Sequence, residues 1–132
     1  MNKTILVTGA ILGVLSIILG AFGAHALKEL IPETAQQTFE TGVRYQMYHA
    51  LFLLFIGHSP LIKEKTKRII FFLVVIGVLF FSGSIYGLAT NCLSGFNFKS
   101  IGFITPIGGL LLIMAWCFML GSFLNFSSKK VG

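Results

Sequence analysis

Charge is what this chain has least of. Only 11% of its 132 residues are Asp, Glu, Lys or Arg, whereas an ordinary soluble domain carries about 25%. Asp is absent altogether, and the acidic residues are Glu29, Glu33, Glu40 and Glu64. With so few carboxylates, all outside the apolar runs, paired acid–base chemistry has no candidates. No GxSxG, HExxH, Walker loop or GxGxxG occurs either. Cysteine is nearly absent: Cys92 and Cys117 cannot make a disulfide framework and read as small buried hydrophobes. These shortages exclude a water-soluble enzyme, a disordered tail and a secreted disulfide scaffold. No catalytic residue, metal or cofactor is expected.

What the chain has instead is apolar length. Hydrophobic residues make up 55% of it, gathered into four runs, at about 4–25, 45–62, 69–90 and 101–124. Each approaches the ~20 residues that a helix needs to cross ~30 Å of hydrocarbon. Alternating strands of ~10 residues, the mark of a membrane barrel, are missing. The expectation is one all-α domain over 1–132, an integral membrane bundle of four transmembrane helices. The first run, preceded by Lys3 and ending at Ala24-His25-Ala26, imitates a signal peptide. Its apolar length exceeds the usual 7–15 residues of such a segment.

The net charge of +6 is laid out for orientation, with nucleic acid an unsuited partner. Lys3, Lys63, Lys65, Lys67, Arg68, Lys129 and Lys130 fall on one side of the four runs; Lys28, Arg44 and Lys99 fall on the other. Positive charge favours the cytoplasmic side, so both termini are expected there. Between the first two runs, Pro32-Glu33-Thr34 reads as a helix start, and Glu40 with Arg44 forms an i,i+4 pair. This stretch is expected to be an interfacial helix leading into the second span, weakened and open to kinking at Gly42.

Helices in lipid approach closely through small residues. The first run supplies Gly9, Gly13, Ser16, Gly20 and Gly23 along one face. Gly83 and Gly87 form a second small-xxx-small pair in the third run, with Gly77 further back, and Gly108-Gly109 follow Thr105-Pro106 in the fourth. Such stripes serve packing within one chain or against a second copy. Trp116, too deep for an interfacial belt, reads as a packing anchor.

Polar residues inside spans require a reason. With the termini inside, His25, Tyr45, Gln46, His49, Ser82, Ser84, Tyr86 and Thr105 all fall in the outer third of the bundle. Tyr45, Gln46 and His49 share a broad helix face. Histidines on two helices can ligate metal or haem, move a proton or bind an anion; they can also simply tie helix ends together by hydrogen bonds. His58, beside Pro60, reads as interfacial.

At these residues the chain resembles a known family. Gly20-Ala21-Phe22-Gly23-Ala24-His25, then Tyr45-Gln46 with His49, then Phe81-Ser82-Gly83-Ser84-Ile85-Tyr86, then Thr105-Pro106-Ile107-Gly108-Gly109 resemble the YgdD/YwdK-like family of small bacterial inner-membrane proteins. The likeness covers about 5–124 and implies a four-helix protein of the bacterial plasma membrane. It implies no reaction, substrate or catalytic residue. The resulting expectation is a non-enzymatic bundle in the lipid bilayer that organises membrane or binds a membrane-protein partner or a second copy. The alternatives are a small permease-like or proton-linked protein using the outer polar cluster, and a haem or quinone redox protein.

Overall fold

The computed structural model describes residues 2–93 and 102–131, and not the side chains of Cys92 or of 127–131. Within that range four long helices account for nearly everything: α1 (Asn2–Ala24), α2 (Glu33–His58), α3 (Glu64–Ala89) and α4 (Ile104–Val131). Short 3-10 turns at Leu27–Glu29 and Asn91–Leu93 join α1 to α2 and follow α3. Lys99 and Ile101, assigned above to an outer connection and a span start, lie outside the described residues.

The helix ends follow local chemistry. Pro32 stands in extended conformation immediately before α2, with Glu33 at the positive end of the helix dipole. At the other end Ser59 is extended, the conformation that a following proline favours, and the run ends before Pro60. Thr90 closes α3, its hydroxyl donating to the Tyr86 carbonyl at 2.8 Å.

Among the described residues three helices are long and apolar enough to cross a membrane: α1, α3 and the segment Ile104–Phe126 of α4. The fourth, α2, is not among them, and it ends at His58, short of the expected bound at 62. The interfacial helix and the second apolar run are not separate elements; they form one unbroken helix of 26 residues that passes through Gly42. Glu33, Gln36, Gln37, Glu40 and Arg44 make its first half polar. Gly42 is buried because the Tyr86 and Ile85 side chains of α3 press on it, at 2.8 and 2.9 Å from where a Cβ would stand.

Neighbours in sequence are neighbours in space: α1 packs on α2, α2 on α3, and α3 on α4. The face of α1 that carries Gly9, Gly13, Ser16, Gly20 and Gly23 is turned to α2 of the same chain. A Cβ at Gly9 would meet the Ala50 carbonyl oxygen at 3.0 Å, and one at Gly23 the Phe39 ring at 2.9 Å. Between α3 and α4 the closest approach is at Gly77 and Gly108, where a Cβ on Gly108 would run into the Phe81 backbone nitrogen and lie 2.9 Å from the Gly77 oxygen. Gly83, by contrast, is exposed with nothing within 4 Å of a Cβ, and Gly87 is half-buried. Gly83 thus does not form the contact with α4; Gly77 does.

The main core gathers Ile5, Leu53, Ile56, Ile70, Val74 and Leu112 around the middle and one end of the bundle. Leu27, Ile31, Phe39 and Ala89 make a smaller core at the other end. At the larger core's end Lys67 is buried, and its Nζ donates to Asn2 Oδ1 at 3.2 Å and lies 3.8 Å from Glu64 Oε1. Lys67, one of the charges on the side expected to be cytoplasmic, thus pins the start of α1 to the first turn of α3.

A candidate functional site in the polar layer of the bundle

The polar layer is built mainly from α2 and α3. Gln46, on a buried turn of α2, reaches in both directions. Its Oε1 accepts the Tyr86 hydroxyl at 2.6 Å, and its Nε2 donates to the Leu12 carbonyl at 3.0 Å. One amide therefore joins α1, α2 and α3. Ser82, fully buried, donates to the Gly42 carbonyl at 2.7 Å. Ser84 donates to the Phe81 carbonyl at 3.0 Å and also meets the Thr105 hydroxyl. A serine has one hydroxyl proton, so Thr105 is the donor in that second bond, and it ties α4 to α3.

His49 is 4% exposed, and both ring nitrogens are occupied. Nδ1 lies 2.7 Å from the Tyr45 carbonyl, and Nε2 lies 3.1 Å from the indole nitrogen of Trp116. A carbonyl only accepts and an indole N–H only donates. These partners assign the neutral tautomer with the proton on Nδ1 and the lone pair on Nε2. His49 thus has no free lone pair for a metal or haem iron.

The remaining expected members do not join. His25 lies just beyond α1 and is exposed, and no hydrogen bond or ring contact among the described residues links it to His49. The face shared by Tyr45, Gln46 and His49 divides in three. Gln46 turns to α1 and α3, and His49 to Trp116 of α4. The Tyr45 ring packs on Tyr48 and Phe81, with centroids 5.5 and 5.0 Å away. Among the described residues no group of three or more His, Cys, Asp or Glu is placed to hold a metal. The layer is a set of ties between helices.

Sequence reading missed two participants. Trp116 does pack, its ring centroid 4.3 Å from that of Phe52, but it is also the donor to His49. An indole N–H deep in an apolar run needs an acceptor, and that requirement was the available signal. Gln36 donates to the Gly23 carbonyl at 2.6 Å, holding the end of α1 to α2, while its own buried Oε1 has no hydrogen-bond partner among the described residues. Cys117 corrects an expectation, since it is exposed on α4 and not buried in the core.

Helices of this length and apolarity, joined by a polar layer closed on itself, define an all-α membrane protein. Its relatives are membrane proteins by name. A model of the family described as "Protein of unknown function (DUF423)" matches residues 19–109, and the chain belongs to that family. It is 38% identical to the UPF0382 membrane protein YwdK of Bacillus subtilis over 119 residues, 86% of this chain and 90% of that one. It is 34% identical to a UPF0382 membrane protein of Haemophilus influenzae over 131 residues, 99% of this chain and all of the relative. The UPF0382 inner membrane protein YgdD of Escherichia coli is 29% identical over 133 residues, 98% and 96% of the two chains. No solved structure matches the chain.

Proposed function

We propose that the chain is a four-span, non-enzymatic bundle of the bacterial plasma membrane, with both termini cytoplasmic, that acts by binding or organising other membrane components. The fourth span is α2. The amino-terminal Asn2 of α1 bonds to Glu64 at the start of α3, at 3.3 Å, so α1 and α3 run in the same direction. If both cross, the chain between them must cross back, and α2 is that segment. At 1.5 Å per residue its 26 residues extend about 39 Å. That is enough for the ~30 Å hydrocarbon core, with the Glu33 end left over in the interface.

The observation that carries the non-enzymatic reading is the closure of the polar layer. Gln46, Ser82, Ser84, Tyr86 and His49 are each satisfied within the chain, which leaves them no idle group for proton transfer or solute binding. A relative named an inner membrane protein supports the location. The test has two arms. The purified protein in proteoliposomes should move no protons or small solutes above the lipid background, and affinity capture from its native membrane in mild detergent should return a reproducible membrane component. Solute or proton flux that is lost in Gln46→Leu or His49→Leu protein would overturn the reading.

A further inference from the structure

The side of the bundle where Trp116 bridges to His49 is not closed. A groove of about 700 Å³ opens there between α2 and α4. Its wall includes Tyr45, Gly109, Leu112, Ile113, Trp116 and Phe123. Along α4, Gly109 to Phe123 corresponds to about 21 Å at 1.5 Å per residue. Its polarity is uneven. His49 lines it, but both ring nitrogens are taken. The Tyr45 hydroxyl, at the end nearest the start of α4, has no hydrogen-bond partner among the described residues. Tyr48, also exposed, stands beside it.

We propose that this groove is a binding site for one hydrocarbon chain of a bilayer lipid, with the lipid's polar end at Tyr45. The proposal rests on the bilayer placement argued above and not on the organising role. Three features select this occupant. A trough at membrane depth cannot be left to water, because its walls offer almost nothing to hydrogen-bond. A second helix gains nothing by leaving lipid unless small residues let its backbone approach. Apart from Gly109 and Cys117 the lining is large and irregular, with Ile113, Leu120 and Trp116 all exposed, a contour that a flexible chain follows more readily than a helix. Finally, one phenol, without a hydrogen-bond partner among the described residues, at one end of a long apolar trough matches an amphiphile with one polar end and one tail.

The molecule carries its own probe, since Trp116 is the only tryptophan and Cys117 beside it also lines the groove. In a Cys92→Ser background, Cys117 is converted to either a methyl or a hexadecyl disulfide. The protein is then placed in phosphatidylcholine vesicles whose chains are brominated at mid-length, and quenching of Trp116 is measured. The hexadecyl adduct, by filling the groove, should roughly halve the quenching seen with the methyl adduct. The same hexadecyl group on Leu110→Cys, which is exposed outside the groove, in Cys92→Ser/Cys117→Ser protein should leave quenching at the methyl level. Equal quenching in all three overturns the groove site while leaving the bilayer placement intact. No quenching in the methyl adduct means that protein, such as a second copy, covers Trp116, and that too overturns the proposal.

Discussion

At the scale of single residues, His49 and Trp116 are the pair whose chemistry is most constrained. The indole can only donate and the imidazole lone pair accepts, at 3.1 Å. His49→Leu leaves the indole N–H without its acceptor and should lower stability by ~0.6 kcal/mol, at most about 1.7. Trp116→Phe removes the donor, and the double variant should lose less than the sum of the two. Unfolding of the purified protein in detergent by a denaturing surfactant measures the cycle. Strict additivity would mean that the bond contributes nothing. Ser82→Ala belongs beside this pair. It removes a buried donor to the Gly42 carbonyl, whose backbone bond remains, so its cost should fall in the same small range. The presence of polar groups in this layer was legible in the sequence. Their pairing was not, because Trp116 lies 67 residues from His49 and no local spacing relates them.

At the scale of helices, the glycines separate into those that hold a contact and those that do not. A methyl group at Gly108 would meet the Phe81 backbone and the Gly77 carbonyl; neither is the flexible end of a side chain. Gly108→Ala should therefore force α3 and α4 apart and cost about 1–3 kcal/mol. Gly83→Ala meets nothing within 4 Å and should be neutral, or stabilising by up to ~1 kcal/mol through helix propensity. Thermal unfolding midpoints of the two variants in the same detergent decide the matter, and equal losses would contradict the assignment of the contact. A sequence motif could not make this distinction. Gly83 and Gly87 match small-xxx-small as well as any pair, but which side of α3 meets α4 depends on how Leu112 and Phe81 pack.

At the scale of the whole molecule, the testable quantity is topology. Gln37 is exposed on the polar half of α2 and Thr66 lies in the first turn of α3. In protein lacking Cys92 and Cys117, Gln37→Cys should react with an impermeant thiol reagent added to intact cells. Thr66→Cys should react only after the membrane is opened. The reverse pattern would invert the orientation, and labelling of both in intact cells would remove α2 from the membrane. The buried tie from Lys67 to Asn2 belongs to this scale too, since it links the start of the chain to the start of α3. Asn2→Ala should loosen that end, seen as faster amide exchange in the first turn of α1 with little change in the Gln46 region.

By itself the sequence determined the solvent and the class. A chain with 55% hydrophobic and 11% charged residues cannot cover a water-facing surface, and its long uncharged runs locate α1, α3 and α4 because hydrophobicity is a local property that adds along the chain. It also decided that α2 begins directly after Pro32, since a proline's fixed φ acts on its immediate neighbours. The tertiary structure decided the rest. It made the interfacial stretch and the second apolar run one helix, because Ile85 and Tyr86 pack over Gly42. It divided Tyr45, Gln46 and His49 among three directions, buried Lys67, and opened the groove beside Trp116. Each of these depends on which helix lies against which and at what height, and that is settled by contacts between residues far apart in the chain.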